Sequence, residues 1–383
     1  MKPFPYAILY AASVLAVFHA YFGYPLSILL LGLIRGRKAG KEASSDFSVT
    51  IVITAFNEAR RIDAKMANTR LLDYPGDRLQ VLVASDGSTD GTNDLVRKYR
   101  EDGIELVELA ERKGKENAQR EALRRARGEI IVFTDVATML ERDAIRKIVS
   151  NFADPSIGCV SSEDRVLGKD GRPSGENLYV RYEMWLRRLE SRVSSPVGLS
   201  GSFFAARRTV CGDLSAEVDS DLGTLLNTLK RGLRGTTDPE AIGYYRDLGD
   251  PRGEFERKVR TVLRGLTIFF RHVEFLNVFR YGVFSYQFFC HKLLRWMVPF
   301  LMVLVFLLNL PLATGSPVYF ALLSLQILFY AAGLVSIFGN LYASSGLLLK
   351  VPAYFLTVNA SIFVAWLRFL SGERIRTWTP SER

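Results

Sequence analysis

The chain has 383 residues, 48% hydrophobic and 23% charged, with a formal charge of +10. That length holds one catalytic domain of about 200 residues with a membrane part beside it, and the near-globular average arises because a polar middle is averaged with apolar ends. Cys159, Cys211 and Cys290 share no ligand-like spacing, which excludes a disulfide framework and a zinc site.

From Pro3 to Ile34 there is no Lys, Arg, Asp or Glu, a run of 32 residues, where about 20 apolar residues already cross a bilayer core. Residues 1–40 therefore read as an N-terminal transmembrane helix, too long for the apolar core of a cleaved signal. Arg35, Arg37, Lys38 and Lys41 follow it, and an excess of Lys and Arg marks the cytoplasmic side. The expectation is an integral plasma (inner) membrane protein whose domain from residue 47 onward is cytoplasmic.

Residues 47–245 alternate strand and helix signals. Val49–Thr54 is a β-branched run ending at Ala55-Phe56-Asn57-Glu58, with helix formers up to Leu72. Leu79–Ala84 ends at Ser85-Asp86-Gly87-Ser88-Thr89-Asp90, and Ile130–Phe133 ends at Thr134-Asp135, with a short strand at Ile104–Val107 and a helix over 116–127 between them. Such alternation predicts a mainly parallel sheet with both faces covered. Ligands then sit beyond the carboxyl ends of the strands, where Asn57 with Glu58, Asp86 and Asp135 are delivered. No Gly-x-Gly-x-x-Gly or Walker-type loop occurs, so phosphates must be met otherwise. Arg112-Lys113-Gly114-Lys115 places three cations and a glycine just before a helix start, which suits an anion.

Residues 250–295 carry nine Lys/Arg against three Asp/Glu between Arg252 and Arg295, interleaved with apolar residues, and read as basic amphipathic helices in a headgroup layer. Beside such spans the charges do not point to nucleic acid. Trp296–Leu349 is charge-free over 54 residues and Val351–Leu367 over 17, so residues 296–370 form C-terminal transmembrane helices, with breaks near Asn309–Pro317 and Gly339–Gly346. A basic tail, 371–383, follows. Three full crossings after a cytoplasmic domain would put Arg368, Arg374, Arg376 and Arg383 outside, against the charge rule. The stretch Leu341–Leu367, interrupted by Gly346 and Lys350, is therefore expected to take a re-entrant or interfacial course.

The ordered set Ala55-Phe56-Asn57-Glu58, Ser85-Asp86-Gly87-Ser88-Thr89-Asp90, Gly114-Lys115 with Ala118, Phe133-Thr134-Asp135, Gly201-Ser202 with Ala206-Arg207-Arg208, and Asp219-Ser220-Asp221-Leu222 with Gly232 resembles the family 2 glycosyltransferases, in their membrane-integrated polysaccharide-synthase branch. The resemblance implies an α/β, Rossmann-like catalytic domain of the GT-A type plus transmembrane α-helices. It implies transfer from a nucleotide sugar, UDP-linked, to a glycan or lipid-linked acceptor. Ala55, Asn57, Glu58 and Asp86 would hold the uridine part, with Gly114, Lys115, Arg112 and Arg260 near the diphosphate. Asp86 serves equally as an Asx-turn residue. Gly201 and Ser202 would form the donor-sugar and acceptor loop, and Trp185, on the helix before it, would stack the acceptor or simply pack.

Asp135 would be the metal carboxylate for Mg²⁺ or Mn²⁺. Ala137 stands where the second carboxylate of the family's Asp-x-Asp belongs, and a methyl group is no ligand, so either Asp135 binds the metal together with donor phosphates and water or metal dependence is weakened. Asp219 takes the place of the catalytic base, or else caps the helix that follows. The Gln-x-x-Arg-Trp motif survives only as Arg260, and the missing Trp weighs against processive polymerisation. Growth of a polysaccharide is the first reading. Single-sugar transfer to a membrane lipid and a non-catalytic nucleotide-binding partner subunit are the alternatives.

Overall fold

The computed structural model describes residues 4–36, 47–167, 178–212, 220–246, 251–339 and 346–374. Two compact units emerge, Ile28–Gly249 with Arg376–Arg383, and Met1–Ser27 with Asp250–Ile375.

Among its described residues the first unit is built on eight strands: β1 (Val49–Ala55), β2 (Leu79–Ser85), β3 (Ile104–Glu108), β4 (Ile130–Asp135), β5 (Met139–Leu140), β6 (Ile157–Leu167), β7 (Phe203–Arg207) and β8 (Arg234–Arg246). Their order in the sheet is β3-β2-β1-β4-β7-β6-β8-β5. Every residue of β1 is buried, as expected of a parallel strand covered on both faces. β1 pairs in parallel with β2 and β4, and Ala55 lies opposite Ser85 while Thr54 lies opposite Asp135. Asn57, Asp86 and Asp135 thus leave one edge of the sheet together. Ile51, Ile53, Val83, Val132, Phe152, Val160 and Phe203 share one core cluster.

The parallel expectation holds for β3-β2-β1-β4. Beyond β4 the sheet is mixed, because β7 runs antiparallel to both β4 and β6. The apolar run Phe203–Ala206 carries no sign of its direction, which is set by how the chain returns after the helix Leu178–Val193.

Among the described residues, four helical stretches reaching into the other unit or lying within it are long and apolar enough to cross a membrane: Pro5–Arg35, Val283–Ala313, Pro317–Phe338 and Leu347–Leu370. The first and second contain single π-helical turns, His19–Gly23 and Phe289–Leu294. Next to them the Tyr286 hydroxyl shares hydrogen bonds with Ser27 Oγ (2.7 Å) and His19 Nε2 (3.1 Å). The break foreseen near Asn309–Pro317 falls in the later part of that stretch, since the helix runs through Pro311 to Ala313 and the next begins at Pro317. Leu347–Leu370 is continuous across Lys350 and Pro352. An amphipathic helix, Pro251–Arg271, completes the unit.

Candidate functional site

The loop after β1 is bound to the loop after β2. Asn57 is the only non-glycine with positive φ (51°) among the described residues, a conformation Asn tolerates better than most. Its Oδ1 accepts from the Thr89 amide (2.8 Å) and its own amide donates to Ser88 Oγ (3.1 Å). The Glu58 amide donates to Thr92 Oγ1 (2.8 Å), and Ala55 O accepts from the Asp86 amide (2.9 Å). The buried Glu58 carboxylate meets Arg61 at 2.7 Å. Burial raises its pKa, with Arg61 opposing.

Asp86 is fully buried, and its Oδ1 and Oδ2 accept from the amides of Lys113 and Gly114, both at 2.8 Å. Both sequence readings of Asp86 missed this clamp on the cationic loop. A β-carbon on Gly87 would stand 2.6 Å from the Arg112 nitrogen, so the two loops touch where only glycine fits. The Arg112 guanidinium lies 3.9 Å from the centroid of the Phe56 ring.

Lys115, the first residue of helix Lys115–Arg125, joins the next pieces. Its ammonium donates to Asp135 Oδ1 (2.5 Å) and to Gly201 O (2.9 Å). The Asp135 amide donates to Ser202 O (3.2 Å). Asp164 Oδ1 accepts from Ser200 Oγ (2.7 Å) and Ser202 Oγ (3.0 Å), which fixes the Gly201 loop from the side of β6. The expected phosphate cation, metal carboxylate and sugar loop are thus one hydrogen-bonded junction.

A second ammonium lies under it. Lys65, 1% exposed, donates to Thr134 Oγ1 (3.1 Å) and Thr138 O (2.5 Å). It brackets the turn that carries Asp135 and Ala137, closed by Thr138 N to Asp135 O (3.2 Å). Burial pulls its pKa down to about 7, against the pull of the Asp135 carboxylate. From the same helix, Asn68 exchanges two 2.9 Å hydrogen bonds with Leu140.

Of the other expected residues, Asp219 lies outside the described residues. Trp185 is 37% exposed, its ring 6.0 Å from that of Tyr182. Arg260 belongs to the other unit, on Pro251–Arg271. As for metal, no group of three or more His, Cys, Asp or Glu suited to an ion occurs among the described residues. Asp135 alone still fits an ion such as Mg²⁺, which commonly takes one or two carboxylates and completes its shell with substrate phosphates and water.

The family model for Glycosyl transferase family 2 matches residues 50–215. Among solved structures, the fold is similar to the mannosyltransferase PcManGT of Pyrobaculum calidifontis, in complex with GDP-Man and Mn²⁺. The TM-score is 0.73 at 25% identity, over 96% of this chain and 100% of that one. A poly-beta-1,6-N-acetyl-D-glucosamine synthase of Staphylococcus aureus (strain COL) is 28% identical over 123 residues, 32% of this chain and 29% of the synthase. An N-acetylglucosaminyltransferase of Azorhizobium caulinodans is 30% identical over 180 residues, 45% of each chain. The chain spans less than half the length of these curated relatives. With the motif residues gathered at the strand ends of a GT-A-like sheet, residues 50–215 match a Glycosyl transferase family 2 domain.

Proposed function

We propose that the protein is a membrane-bound inverting glycosyltransferase that moves a sugar from a nucleotide donor, UDP-linked, to a growing polysaccharide at the cytoplasmic face of the inner membrane. The observation that carries this is the junction of Lys115 with Asp135 and Gly201 at the carboxyl edge of the sheet. A nucleotide diphosphate there meets the Lys115 ammonium, the Arg112 guanidinium and the start of an 11-residue helix, each favouring negative charge. Asn57, Glu58 and Asp86 order the pocket for the nucleoside. Asp219 removes the proton of the acceptor hydroxyl as its oxygen bonds to the anomeric carbon, while the carbon–oxygen bond to the diphosphate breaks on the opposite face. A divalent ion held by Asp135 and the diphosphate would neutralise charge growing on the leaving group.

A second reading, a GDP-linked donor, is favoured by the likeness to PcManGT, which extends over 96% of this chain, whereas the N-acetylglucosamine relatives match less than half of it. Incubating the purified full chain with UDP- and GDP-sugars and an acceptor extract, scoring nucleotide release and sizing the product, tests both. Release of UDP with a lengthening glycan is expected. GDP release would select the second reading, a single-sugar lipid product would select the glycolipid alternative, and no release from any donor would sink the catalytic reading.

A further inference from the structure

Helix Leu347–Leu370 has the length and hydropathy of a membrane span, but its contacts place it differently. Within the hairpin of Arg295–Ala313 and Pro317–Phe338, Gln326 Nε2 donates to Met302 O (3.5 Å). That pairing sets Phe329 and Gly333 opposite the first turn of the preceding helix, at the level of Trp296 and Phe300. Leu347–Leu370 touches the hairpin at this level. Phe355 meets Phe329 (5.7 Å), Leu356 and Pro352 crowd Gly333, Phe363 meets Phe300 (5.5 Å), and Trp366 Nε1 donates to Trp296 O (2.9 Å). Phe355 and Trp366 are separated by about 16 Å of helix, yet both meet the hairpin at one height. The helix therefore lies across the end of the hairpin.

A second neighbour agrees. Lys258 lies 5.1 Å from the Tyr354 ring, and Phe270 meets Trp366 (5.8 Å) and Phe369 (5.3 Å). These contacts fall twelve residues apart on each helix, so Pro251–Arg271 and Leu347–Leu370 run side by side for about 18 Å. Pro251–Arg271 carries Arg252, Arg257, Lys258, Arg260, Arg264 and Arg271, too many cations for the hydrocarbon core. A helix that accompanies it over that length shares its depth. The hairpin, by contrast, is free of charge beyond its first residue, Arg295, and has the composition to cross.

Resting on the membrane reading above, we propose that Leu347–Leu370 lies in the headgroup layer on the catalytic-domain side, so that the chain crosses the bilayer three times. Exposed Leu348, Val351, Leu367 and Leu370 face the acyl chains, while Lys350 and Arg368 stay with the phosphates. The basic residues beyond Leu370 then lie on the side that the charge rule favours.

Single cysteines at Asp94, Ser316 and Ser371 in the full chain test this, because Cys159, Cys211 and Cys290 are buried. They are read with a membrane-impermeant maleimide on intact and permeabilised cells. The expected result is that Ser371→Cys behaves like Asp94→Cys and opposite to Ser316→Cys. Ser371→Cys sharing the side of Ser316→Cys overturns the proposal. The comparison is one of sides, so Asp94→Cys labelled in intact cells would refute the cytoplasmic orientation alone. Spin labels at Leu348 and Leu370 give a second readout. Equal, shallow depth is expected at both, and labels at opposite faces overturn the in-plane course.

Discussion

A β-carbon built on Gly201 would stand 3.4 Å from Oδ2 of Asp221. The Asp221 carboxylate therefore rests against the same residue whose carbonyl accepts the Lys115 ammonium. On the proposed reaction, Asp219 and Asp221 are the two candidates for taking the acceptor proton, and substitution separates them. Asp219→Asn keeps the size and capping ability of the side chain but accepts no proton. It is expected to fold, bind nucleotide as wild type does, and lose at least about 10² in turnover, the lower range of general-base contributions. Asp221→Asn should lose less. If the two losses are reversed, Asp221 is the base.

Asp135→Asn keeps the acceptor for Lys115 but removes the charge. Most turnover and most of the response to added Mg²⁺ or Mn²⁺ should disappear, and Ala137→Asp should sharpen metal dependence by restoring a second hard ligand. Titration of Mn²⁺ binding by paramagnetic resonance, in the presence of nucleotide, checks this apart from activity. Unchanged Mn²⁺ affinity in Asp135→Asn would remove Asp135 from the metal.

Asp86→Asn turns one of two acceptors into an amide donor facing a backbone N–H. A buried donor left unmatched costs about 1–3 kcal/mol, and the cost falls on the loop bearing Gly114 and Lys115. Donor KM should rise with kcat little changed. A fall in kcat at constant KM would mean that the clamp does not act through donor binding.

Lys65 makes stability depend on pH in a defined direction. The unfolded chain holds this proton up to about 10.5 and the folded one only up to about 7. Between those values the unfolded state binds more protons, so stability contributed by this group rises with pH and is lost as pH falls toward 7. Thermal unfolding of full-length wild type and Lys65→Met from pH 7 to 9.5 should show the variant's relative stability declining as pH rises. A difference independent of pH would show that no titrating charge is buried there.

The strands that deliver Asn57, Asp86 and Asp135 were legible because each is a short β-branched run ending in a polar turn. Lys65 was not. A lysine in a polar helix reads as a solvated face, and only its partners Thr134 and Thr138, about seventy residues on, bury it. Asp164 was missed because Ser161–Arg165 is too polar to read as strand, although it pairs with β8 across the fold. β8 itself contains Pro239, which local rules count against a strand. The ladder tolerates it because the pairing skips from Ser161↔Thr237 to Glu163↔Ile242. These elements exist through long-range pairing, which no short window of sequence contains.

The two π-helical turns, at His19–Gly23 and Phe289–Leu294, have a consequence for chain length. A π turn holds one residue more than the α turn it replaces, while the helix on either side keeps its facing. Removing one residue inside either turn would close it to an ordinary α turn without rotating what precedes or follows. Elsewhere in these helices the same deletion would swing every later side chain by about 100°. These turns are therefore where the apolar helices can shorten by one residue and still present the same sides to their neighbours.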